Sequence, residues 1–356
     1  MTREQAPGDG SKRGPERGPE RGPERGLERG LERGLERGLA RVARPFVPTG
    51  FLDERRPTMR HRAEYGLFAL LRGLIALMPA HVAEAVGQRV GRLGYPLGVR
   101  RAVTLANLRT AFLGADEAWI RTTARAAYGY IGREMITMLR LPELAPDAIR
   151  GRTRFPDEAL FRAAMAEGRG VVMVAGHFGN WEVAAAGLAA RGYPTDVIVR
   201  RQSNPLFNRL ILATRRSLGV GLIDLERAHR EALAALRAGH VVCFGADQNA
   251  GRTGVFVPFF GRLASTYRGP AVMALRTGAP VFLGMPLRMP DGSYELRIRA
   301  VQVDREGQQE EVVQRISAAF TRALEEAVRE TPEQYLWQHR RWRSRPPEEQ
   351  GTPNEV

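Results

Sequence analysis

Apolar residues recur at helical spacing through much of the first half of the chain. Between Val82 and Leu139 they return every three or four residues, and Pro96 is the main interruption. This spacing places apolar side chains along one face of a helix. The pattern therefore predicts a helical N-terminal region, which we assign to residues 59–150.

The pattern changes near Gly170, where short β-prone runs alternate with helix-like stretches. The predicted strands cover residues 171–175, 196–199, 221–224, 241–245, 280–288 and 294–303, and a final helix covers about 309–329. Strands that alternate with helices are typical of an α/β sheet. We therefore predict an α/β core over residues 151–346, with the helical region packed against it.

Residues 66–80 form the most apolar run of the chain. The run is shorter than the roughly 20 residues that a spanning helix needs, and Arg72 interrupts it. It is compatible with a buried or surface-docked helix. It is also compatible with an interfacial helix whose arginines, Arg60, Arg62 and Arg72, face lipid headgroups.

Both ends of the chain lack the features of packed structure. Residues 14–41 repeat a four-residue unit with Gly at every fourth position, which opposes a stable helix. We predict a disordered low-complexity tail over residues 1–58 and a flexible C-terminus over 347–356. The leucines of the repeat leave a weak helix near a membrane as the alternative.

Charge and cysteine content narrow the classes of function. The net charge is +15, which favours anionic partners such as a membrane face, an acidic carrier protein, phosphorylated substrates or nucleic acid. We expect no nucleic-acid partner, because the chain has neither zinc-finger spacing nor an RNA-recognition aromatic motif. The single cysteine, Cys243, excludes an internal disulfide and a cysteine-based zinc site.

The strongest candidate for chemistry follows the strand predicted at 171–175. That strand leads into His177, then Gly179 and Asn180, then an Ala-rich helix. Asn180 is a plausible N-cap, which places Glu182 in the first helical turn, where the helix dipole favours a carboxylate. On one continuous helix the histidine and the glutamate would lie about 140° apart, so they meet only if His177 lies in the preceding loop. Glycine suits such a turn.

A carboxylate beside a histidine holds its tautomer and supports its action as a general base. No serine or cysteine nucleophile lies nearby in the sequence, which favours direct base catalysis over an acyl-enzyme. The two histidines of a zinc signature are missing, and we expect no metal or cofactor. Backbone N–H groups of Gly179 and Asn180, or a nearby arginine, are candidate oxyanion donors. The His-x4-Glu spacing alone is equally compatible with a structural contact.

Further motifs in the chain support a functional role for the His-x4-Glu pair. They are HFGNWE (177–182), VRRQSNPLFNRLILATR (199–215), ADQNAGRTGVFVPFFGRLAST (246–266) and PEQYLWQHRRWRSRP (332–346), with RRAVTLANLRTAF (100–112) before them. Their content and order resemble those of the bacterial late acyltransferases of lipid A biosynthesis, which transfer lauroyl or myristoyl groups. The wider relatives are the glycerolipid and lysophospholipid acyltransferases. The resemblance runs from about residue 60 to 346 and omits the repeats.

The resemblance implies a mixed sheet flanked by helices and assigns roles to residues. It makes His177 the general base and Glu182 its acidic partner. It also implies a set of substrate-pocket residues: Arg200, Asn204 and Arg215 on the acceptor side, and Asp247 and Gln248 near the pocket.

The resemblance further implies the partners of the reaction. The expected donor is an acyl-carrier-protein thioester, or else acyl-CoA, and the expected acceptor is a hydroxyl of a lipid A precursor. Phosphatidylinositol mannoside, a lysophospholipid or another glycolipid remains an alternative acceptor. The expected location is the cytoplasmic face of the inner membrane, on an anionic surface. Because Arg72 interrupts the apolar run, the sequence leaves spanning and interfacial attachment open.

Overall fold

The computed structural model describes residues 55–346, and every statement below refers to that part of the chain. The disorder predicted for residues 1–58 and the flexibility predicted for 347–356 fall almost entirely outside the described residues and stay predictions. The described chain opens with four helices: α1 (Met59–Ala76), α2 (Ala80–Leu93), α3 (Arg101–Ala111) and α4 (Glu117–Arg140). These four helices occupy most of residues 59–140.

Helices α2 and α4 pack at backbone contact. A Cβ atom on Gly132 would lie 2.2 Å from the Gly87 carbonyl oxygen, and one on Gly91 would lie 2.3 Å from the Tyr128 carbonyl oxygen. Neither position has room for a side chain. Glycine is therefore required at this crossing, and α4 is held firmly beside α2.

The rest of the described chain alternates helices and strands. The elements are α5 (Pro146–Arg152), β1 (Thr153–Arg154), α6 (Glu158–Ala166), β2 (Val171–Ala175), α7 (Trp181–Ala189), β3 (Thr195–Val199), α8 (Pro205–Ser217), β4 (Gly221–Asp224), α9 (Ala228–Arg237), β5 (Val241–Gly245), β6 (Val255–Phe259), β7 (Arg262–Thr266), α10 (Gly269–Thr277), β8 (Val281–Arg288), β9 (Tyr294–Val301) and α11 (Gln309–Glu330). All six predicted strands and the final helix are present within two residues of their predicted bounds.

Seven strands form one sheet in the order β1-β9-β8-β2-β5-β3-β4. Every neighbouring pair is parallel except β8 and β9, so the sheet is mixed, as expected. Parallel neighbours need crossover connections, which the helices supply. Helices cover both faces of the sheet, which is why its central strands are continuous apolar runs without alternation.

The two central strands, β2 and β5, place the loops that follow them next to each other. Strands β2 and β5 run parallel with Ala175 opposite Gly245, the last residue of each strand. The loops that leave the two strands therefore start side by side, at the carboxyl edge of the sheet. In open α/β sheets this edge is where ligands bind.

A two-stranded hairpin of β6 and β7 stands apart from the main sheet and was not predicted. Its two-residue turn, Phe260–Gly261, has positive φ at both positions, which is rare for phenylalanine. The tertiary structure holds Phe260 there. Its N–H donates to Glu325 at 2.6 Å, and its ring packs under the Arg329 guanidinium at 4.5 Å from the ring centre.

Helix α1 packs against α8 through a cluster of three aromatic side chains. Phe207 of α8 lies 5.6 Å from Tyr65 and 4.9 Å from Phe68 between ring centres. No residue of α1 is buried, and four of its leucines and the leucine that follows it are exposed: Leu67, Leu70, Leu71, Leu74 and Leu77. Within residues 55–346, no helix combines the length and apolarity needed to cross a membrane.

Candidate active site

His177 lies in the loop between β2 and α7, as the sequence predicts. The Asn180 side chain accepts a hydrogen bond from the Val183 N–H at 3.1 Å and caps α7. Gly179 has φ +60°, and a Cβ atom there would lie 1.7 Å from the Pro286 carbonyl oxygen. Only glycine fits this position, which sets the sharp turn from strand to helix.

The carboxylate of Asp247 binds His177 at two points. Asp247 Oδ1 lies 2.8 Å from His177 Nδ1, and Asp247 Oδ2 accepts from the His177 backbone N–H at 2.7 Å. Asp247 follows β5 by the same two residues by which His177 follows β2, so the strand register brings them together. The Trp181 ring packs on the imidazole, with 4.8 Å between ring centres.

Glu182 does not make the contact that the sequence predicts. Its carboxylate accepts from Arg215 Nε at 2.9 and 3.2 Å and also contacts Arg215 Nη2. The expectation that Glu182 hydrogen bonds to His177 is therefore wrong. The first turn of α7 directs Glu182 toward α8, and the position beside the imidazole is taken by Asp247.

Burial and neighbouring charges shift the pKa values of both His177 and Asp247. Burial lowers the pKa of His177, but the charge and hydrogen bond of Asp247, aided by the charge of Glu182, outweigh it and raise that pKa above its usual range. Burial raises the pKa of Asp247, but His177 and the nearby Arg341 outweigh it and hold that pKa low. Asp247 is thus an anion that stabilises the protonated imidazole.

The hydrogen bonds define which nitrogen of His177 is basic. Since the carboxylate of Asp247 accepts, Nδ1 carries the hydrogen and Nε2 keeps a lone pair. The Gln248 side-chain nitrogen lies 3.3 Å from Nε2. A histidine oriented in this way is ready to remove a proton from a group that binds beside Nε2.

Arg341 is a member of the site that sequence reasoning missed. It is 2% exposed, its guanidinium donates to the Ser265 carbonyl at 2.5 Å, and its charge lowers the pKa of Asp247. The signal available was its place in the last motif (332–346), directly before Trp342. Its contacts with the hairpin were not foreseeable without the fold.

A cavity of about 480 Å³ opens beside His177. Its polar wall includes His177, Glu182, Arg200, Arg215 and Gln248. The apolar part of its lining, which we call the apolar arm, comes from α7 and the facing strands and includes Phe155, Met173, Leu188, Val197, Cys243 and Leu296. The cavity therefore combines a basic histidine with an apolar channel, which suits an elongated apolar substrate with one reactive polar group.

Four of the predicted substrate residues do not line this cavity: Gly179, Asn180, Asn204 and Asp247. The Gly179 N–H donates to the Gln334 carbonyl at 2.9 Å and the Asn180 N–H to the Pro286 carbonyl at 3.3 Å. The expectation that these N–H groups stabilise an oxyanion is therefore wrong. Asn204 caps α8, accepting from the Leu206 N–H at 3.0 Å, and donates to His61 and Glu64 of α1.

Cys243 lines the apolar arm but has the wrong properties for a nucleophile. Burial, together with the charge of Asp196, raises the pKa of its thiol to about 12. The thiolate is the reactive form of cysteine, and it is scarce at neutral pH when the pKa is that high. The site therefore has a base without an adjacent nucleophile of its own.

A mixed α/β sheet with a histidine–aspartate pair at its carboxyl edge and apolar residues beside it suits an enzyme that acts on a fatty-acyl substrate. The relatives of the chain are named as acyltransferases. Lipid A biosynthesis lauroyltransferase of Escherichia coli (strain K12) is 27% identical over 278 residues, covering 77% of this chain and 89% of that protein. Phosphatidylinositol mannoside acyltransferase of Mycobacterium tuberculosis is 41% identical over 122 residues, covering 33% of this chain and 38% of that protein.

A third relative, the phosphatidylinositol mannoside acyltransferase of Mycolicibacterium smegmatis, is 30% identical over 217 residues, covering 59% of this chain and 70% of that protein. The protein is thus an O-acyltransferase that acts on a lipid acceptor. Residues 52–344 match the sequence pattern of one family in particular. The chain belongs to the bacterial lipid A biosynthesis acyltransferases.

Proposed function

We propose that the protein transfers a fatty-acyl group from an acyl-carrier-protein thioester to a hydroxyl of a lipid A precursor, with His177 as general base. One observation carries the proposal. Nε2 of His177, oriented through Nδ1 by Asp247, lies at the wall of a cavity with an apolar arm. The names of the relatives supply the reaction class, and this geometry supplies the base.

The proposed reaction runs in two steps. His177 Nε2 removes the proton of the acceptor hydroxyl while the hydroxyl oxygen attacks the thioester carbonyl carbon. The tetrahedral intermediate then collapses, the carbon–sulfur bond breaks, and the proton on Nε2 passes to the leaving sulfur. The products are the ester and the free carrier thiol. Asp247 stabilises the imidazolium between the steps, and Glu182 adds negative charge from the side of Arg215.

The oxyanion of the intermediate needs a hydrogen-bond donor near the base. The N–H groups of Gly179 and Asn180 are engaged within the protein. The Gln248 side-chain amide lies 3.3 Å from His177 Nε2 and lines the cavity. We assign the oxyanion to this amide, because a donor beside the base is also beside the carbon under attack.

The donor and the acceptor have separate surroundings in this proposal. The acyl chain lies in the apolar arm, where burial of each methylene group contributes about 0.8 kcal/mol. Arg200 lines the cavity as a cation and suits phosphate or carboxylate groups of either substrate. Arg297 also lines the cavity, but its guanidinium pairs with Glu295 at 2.5 Å. Arg201, beside Arg200, is instead ion-paired with Asp224 at 2.9 Å.

The helical region supplies a candidate membrane surface. The exposed leucines of α1 lie among Arg60, Arg62 and Arg72, a combination that suits an anionic lipid surface. The N-terminal flank of α1 also reaches the cavity wall, since Arg55 donates to the Gln202 carbonyl at 2.6 Å and Gln202 lines the cavity. We therefore propose that α1 binds the cytoplasmic face of the inner membrane and brings the cavity close to its lipid acceptor.

Sedimentation with vesicles tests the membrane surface. Wild-type protein should sediment with phosphatidylglycerol vesicles, and serine at Leu70, Leu71 and Leu74 together should abolish sedimentation at low protein concentration. Leu113→Ser is the matched control, because Leu113 is 85% exposed and lies outside α1. Equal binding by the triple variant and the control would refute the assignment.

A second acceptor is supported by a specific observation. The identity to a phosphatidylinositol mannoside acyltransferase reaches 41% over 122 residues, above the 27% to the lauroyltransferase over 278 residues. The same base and the same acyl arm would serve a mannose hydroxyl. The alternative function is therefore the same chemistry on phosphatidylinositol mannoside, a lysophospholipid or another glycolipid, with acyl-CoA as alternative donor.

Acyl-transfer assays decide between these acceptors. The purified protein is incubated with an acyl-carrier-protein thioester or acyl-CoA and, in turn, a lipid A precursor, a mannolipid and a lysophospholipid, and products are followed by mass spectrometry. We expect transfer to the lipid A precursor, lost in His177→Ala. Transfer only to the mannolipid or the phospholipid would replace the acceptor and keep the chemistry. An equally active His177→Ala protein would refute the base.

A further inference from the structure

A buried charged cluster lies behind the His177 turn, and none of its members lines the cavity. It consists of Glu134 of α4, Arg288 of β8 and Tyr294 of β9, and we call it the Glu134 cluster. Glu134 is 3% exposed. A carboxylate and a guanidinium removed from water need strong partners, so the cluster must be tightly organised.

The carboxylate of Glu134 accepts hydrogen bonds from three different parts of the chain. Tyr294 donates its hydroxyl to Oε2 at 2.5 Å, and Arg288 donates from Nη1 to Oε1 at 3.3 Å. The third donor is the Asn180 side-chain amide, at 2.8 Å from Oε2. Burial raises the pKa of Glu134, and these three partners each oppose that rise by stabilising the charged form.

Asn180 is the link from this cluster to the reacting base. Its side-chain oxygen caps α7 at Val183, and its side-chain nitrogen donates to Glu134, so both ends of the amide are engaged. Because a carboxylate only accepts, Glu134 fixes which way round the amide sits. The next residue, Trp181, packs its ring on His177. A displacement of Asn180 would therefore move Trp181 and, through the contact of the two rings, the imidazole of His177.

We propose that Glu134 is a positioning residue: through Asn180 it holds the turn that carries His177 and Trp181 in the geometry required for acyl transfer. The inference rests on the proposed function of His177 as general base. It extends the catalytic site to a helix outside the α/β core, because Glu134 precedes Asn180 by 46 residues.

The cluster offers a matched control in Glu84 of α2. Glu84 contacts Arg288 Nη2, on the same guanidinium that Glu134 binds. Within residues 55–346, Glu84 accepts a hydrogen bond from Arg288 and does not contact Asn180. Glu84→Gln therefore removes a negative charge from the same arginine and leaves the contact between Glu134 and Asn180 in place.

The experiment compares Glu134→Ala, Glu84→Gln, Asn180→Ala and the double variant Glu134→Ala/Asn180→Ala. We expect Glu134→Ala to lower kcat about 10²-fold, since a small displacement of a catalytic group has costs of this size. KM for the acyl thioester should change by less than about threefold, because the cavity wall is untouched. Glu84→Gln should keep kcat within about twofold, because Glu134 and Asn180 keep their hydrogen bond. The double variant should be no slower than Asn180→Ala.

Three results would overturn the inference: wild-type kcat in Glu134→Ala, equal losses in Glu84→Gln, or additive losses in the double variant. If Glu134→Ala does not fold, Glu134→Gln replaces it. Its amide keeps the shape but not the charge, and kcat should fall about tenfold at constant KM, since hydrogen bonds to charged groups are the stronger ones. A kcat of Glu134→Gln equal to that of Glu84→Gln would refute the role.

A second readout separates failure of the inference from failure of the proposed function. Absence of transfer by wild-type protein to any acceptor would refute the function. The reaction of His177 with diethyl pyrocarbonate, followed on its peptide by mass spectrometry, needs no turnover. We expect its rate to change several-fold in Glu134→Ala and not in Glu84→Gln. Equal rates in the two variants would overturn the positioning role independently of any transfer assay.

Discussion

Two histidine–aspartate pairs lie at opposite ends of strand β5. At its carboxyl end, His177 Nδ1 is 2.8 Å from Asp247, and at its amino end, His240 Nδ1 is 2.7 Å from Asp196. The two contacts are almost the same in length and in the atoms involved. Their access differs: the side chain of His177 is 27% exposed, and that of His240 is 4% exposed.

The difference between the pairs lies in what surrounds the second nitrogen of the ring. For His177 it faces a cavity and the Gln248 amide, whereas His240 is buried and lines no part of that cavity. A histidine–aspartate contact is therefore not by itself a sign of catalysis. The carboxyl edge of the sheet, where the loops diverge, leaves room for substrate, and the amino edge is filled by packing.

The largest expected effect contrasts the two histidines directly. His177→Ala should lower the kcat of the folded molecule by about 10²–10⁴, since it removes the general base. His240→Ala should keep the turnover of the folded molecule but lose about 3 kcal/mol of stability, because Asp196 is left buried without its partner. Turnover corrected for the folded fraction, and urea unfolding, measure both. A loss of turnover confined to His240→Ala would reverse the assignment.

Substitution of Asp247 and substitution of Asp196 should have different effects on the pH dependence of the rate. The pKa of His177 is raised, chiefly by Asp247 against burial, and only the neutral ring acts as base. The rate should therefore rise with pH through a pKa above the usual range of histidine. In Asp247→Asn the negative charge is lost, and burial then lowers the pKa of His177. The rising limb of the pH–rate profile should therefore move to lower pH, and kcat should fall by about 10².

Asp196→Asn is the control for that shift, because Asp196 contacts His240 and not His177. Its pH–rate profile should overlay the wild-type profile. A limb that moves to higher pH in Asp247→Asn, or that moves equally in both variants, would contradict the assignment of Asp247.

The carboxylate of the sequence motif should have a smaller effect than the one the fold supplies. Glu182→Gln and Arg215→Ala should each lower kcat about tenfold, because each breaks one ion pair at the cavity wall without removing the base or its partner. The double variant should lose no more than either single variant, as expected for residues that act together. Additive losses, measured in the same transfer assay, would mean that the two side chains act separately.

The smallest expected effect falls midway along β5, at Cys243. Cys243→Ala should keep kcat within about twofold, because a buried thiol with its pKa raised to about 12 is no nucleophile. Cys243→Met should shorten the preferred acyl chain by about one or two methylene groups, since it fills part of the apolar arm. Competition between thioesters of different length measures this preference. Inactivity of Cys243→Ala would argue for a covalent acyl-enzyme.

Much of the site could be predicted because its signals are local. The apolar run before His177, the glycine at the turn and the Asn180 cap are decided by neighbouring residues, and the structure has all three. The Phe260–Gly261 hairpin was missed because phenylalanine opposes the backbone geometry that distant contacts impose on it. Glu134 and Arg288 left a weak signal, a charge within an apolar helix or strand, but their pairing joins residues 154 positions apart.

The sequence by itself determined six of the seven strands of the main sheet, the loop that carries His177 and the family to which the chain belongs. Only the tertiary structure decided which carboxylate binds the imidazole. That choice follows from the pairing of β2 with β5, which places Asp247 beside a histidine 70 residues away. Strand neighbours in a parallel sheet are set by how crossover helices pack on its faces. The energy of that packing is spread over the whole core, and no short motif records it.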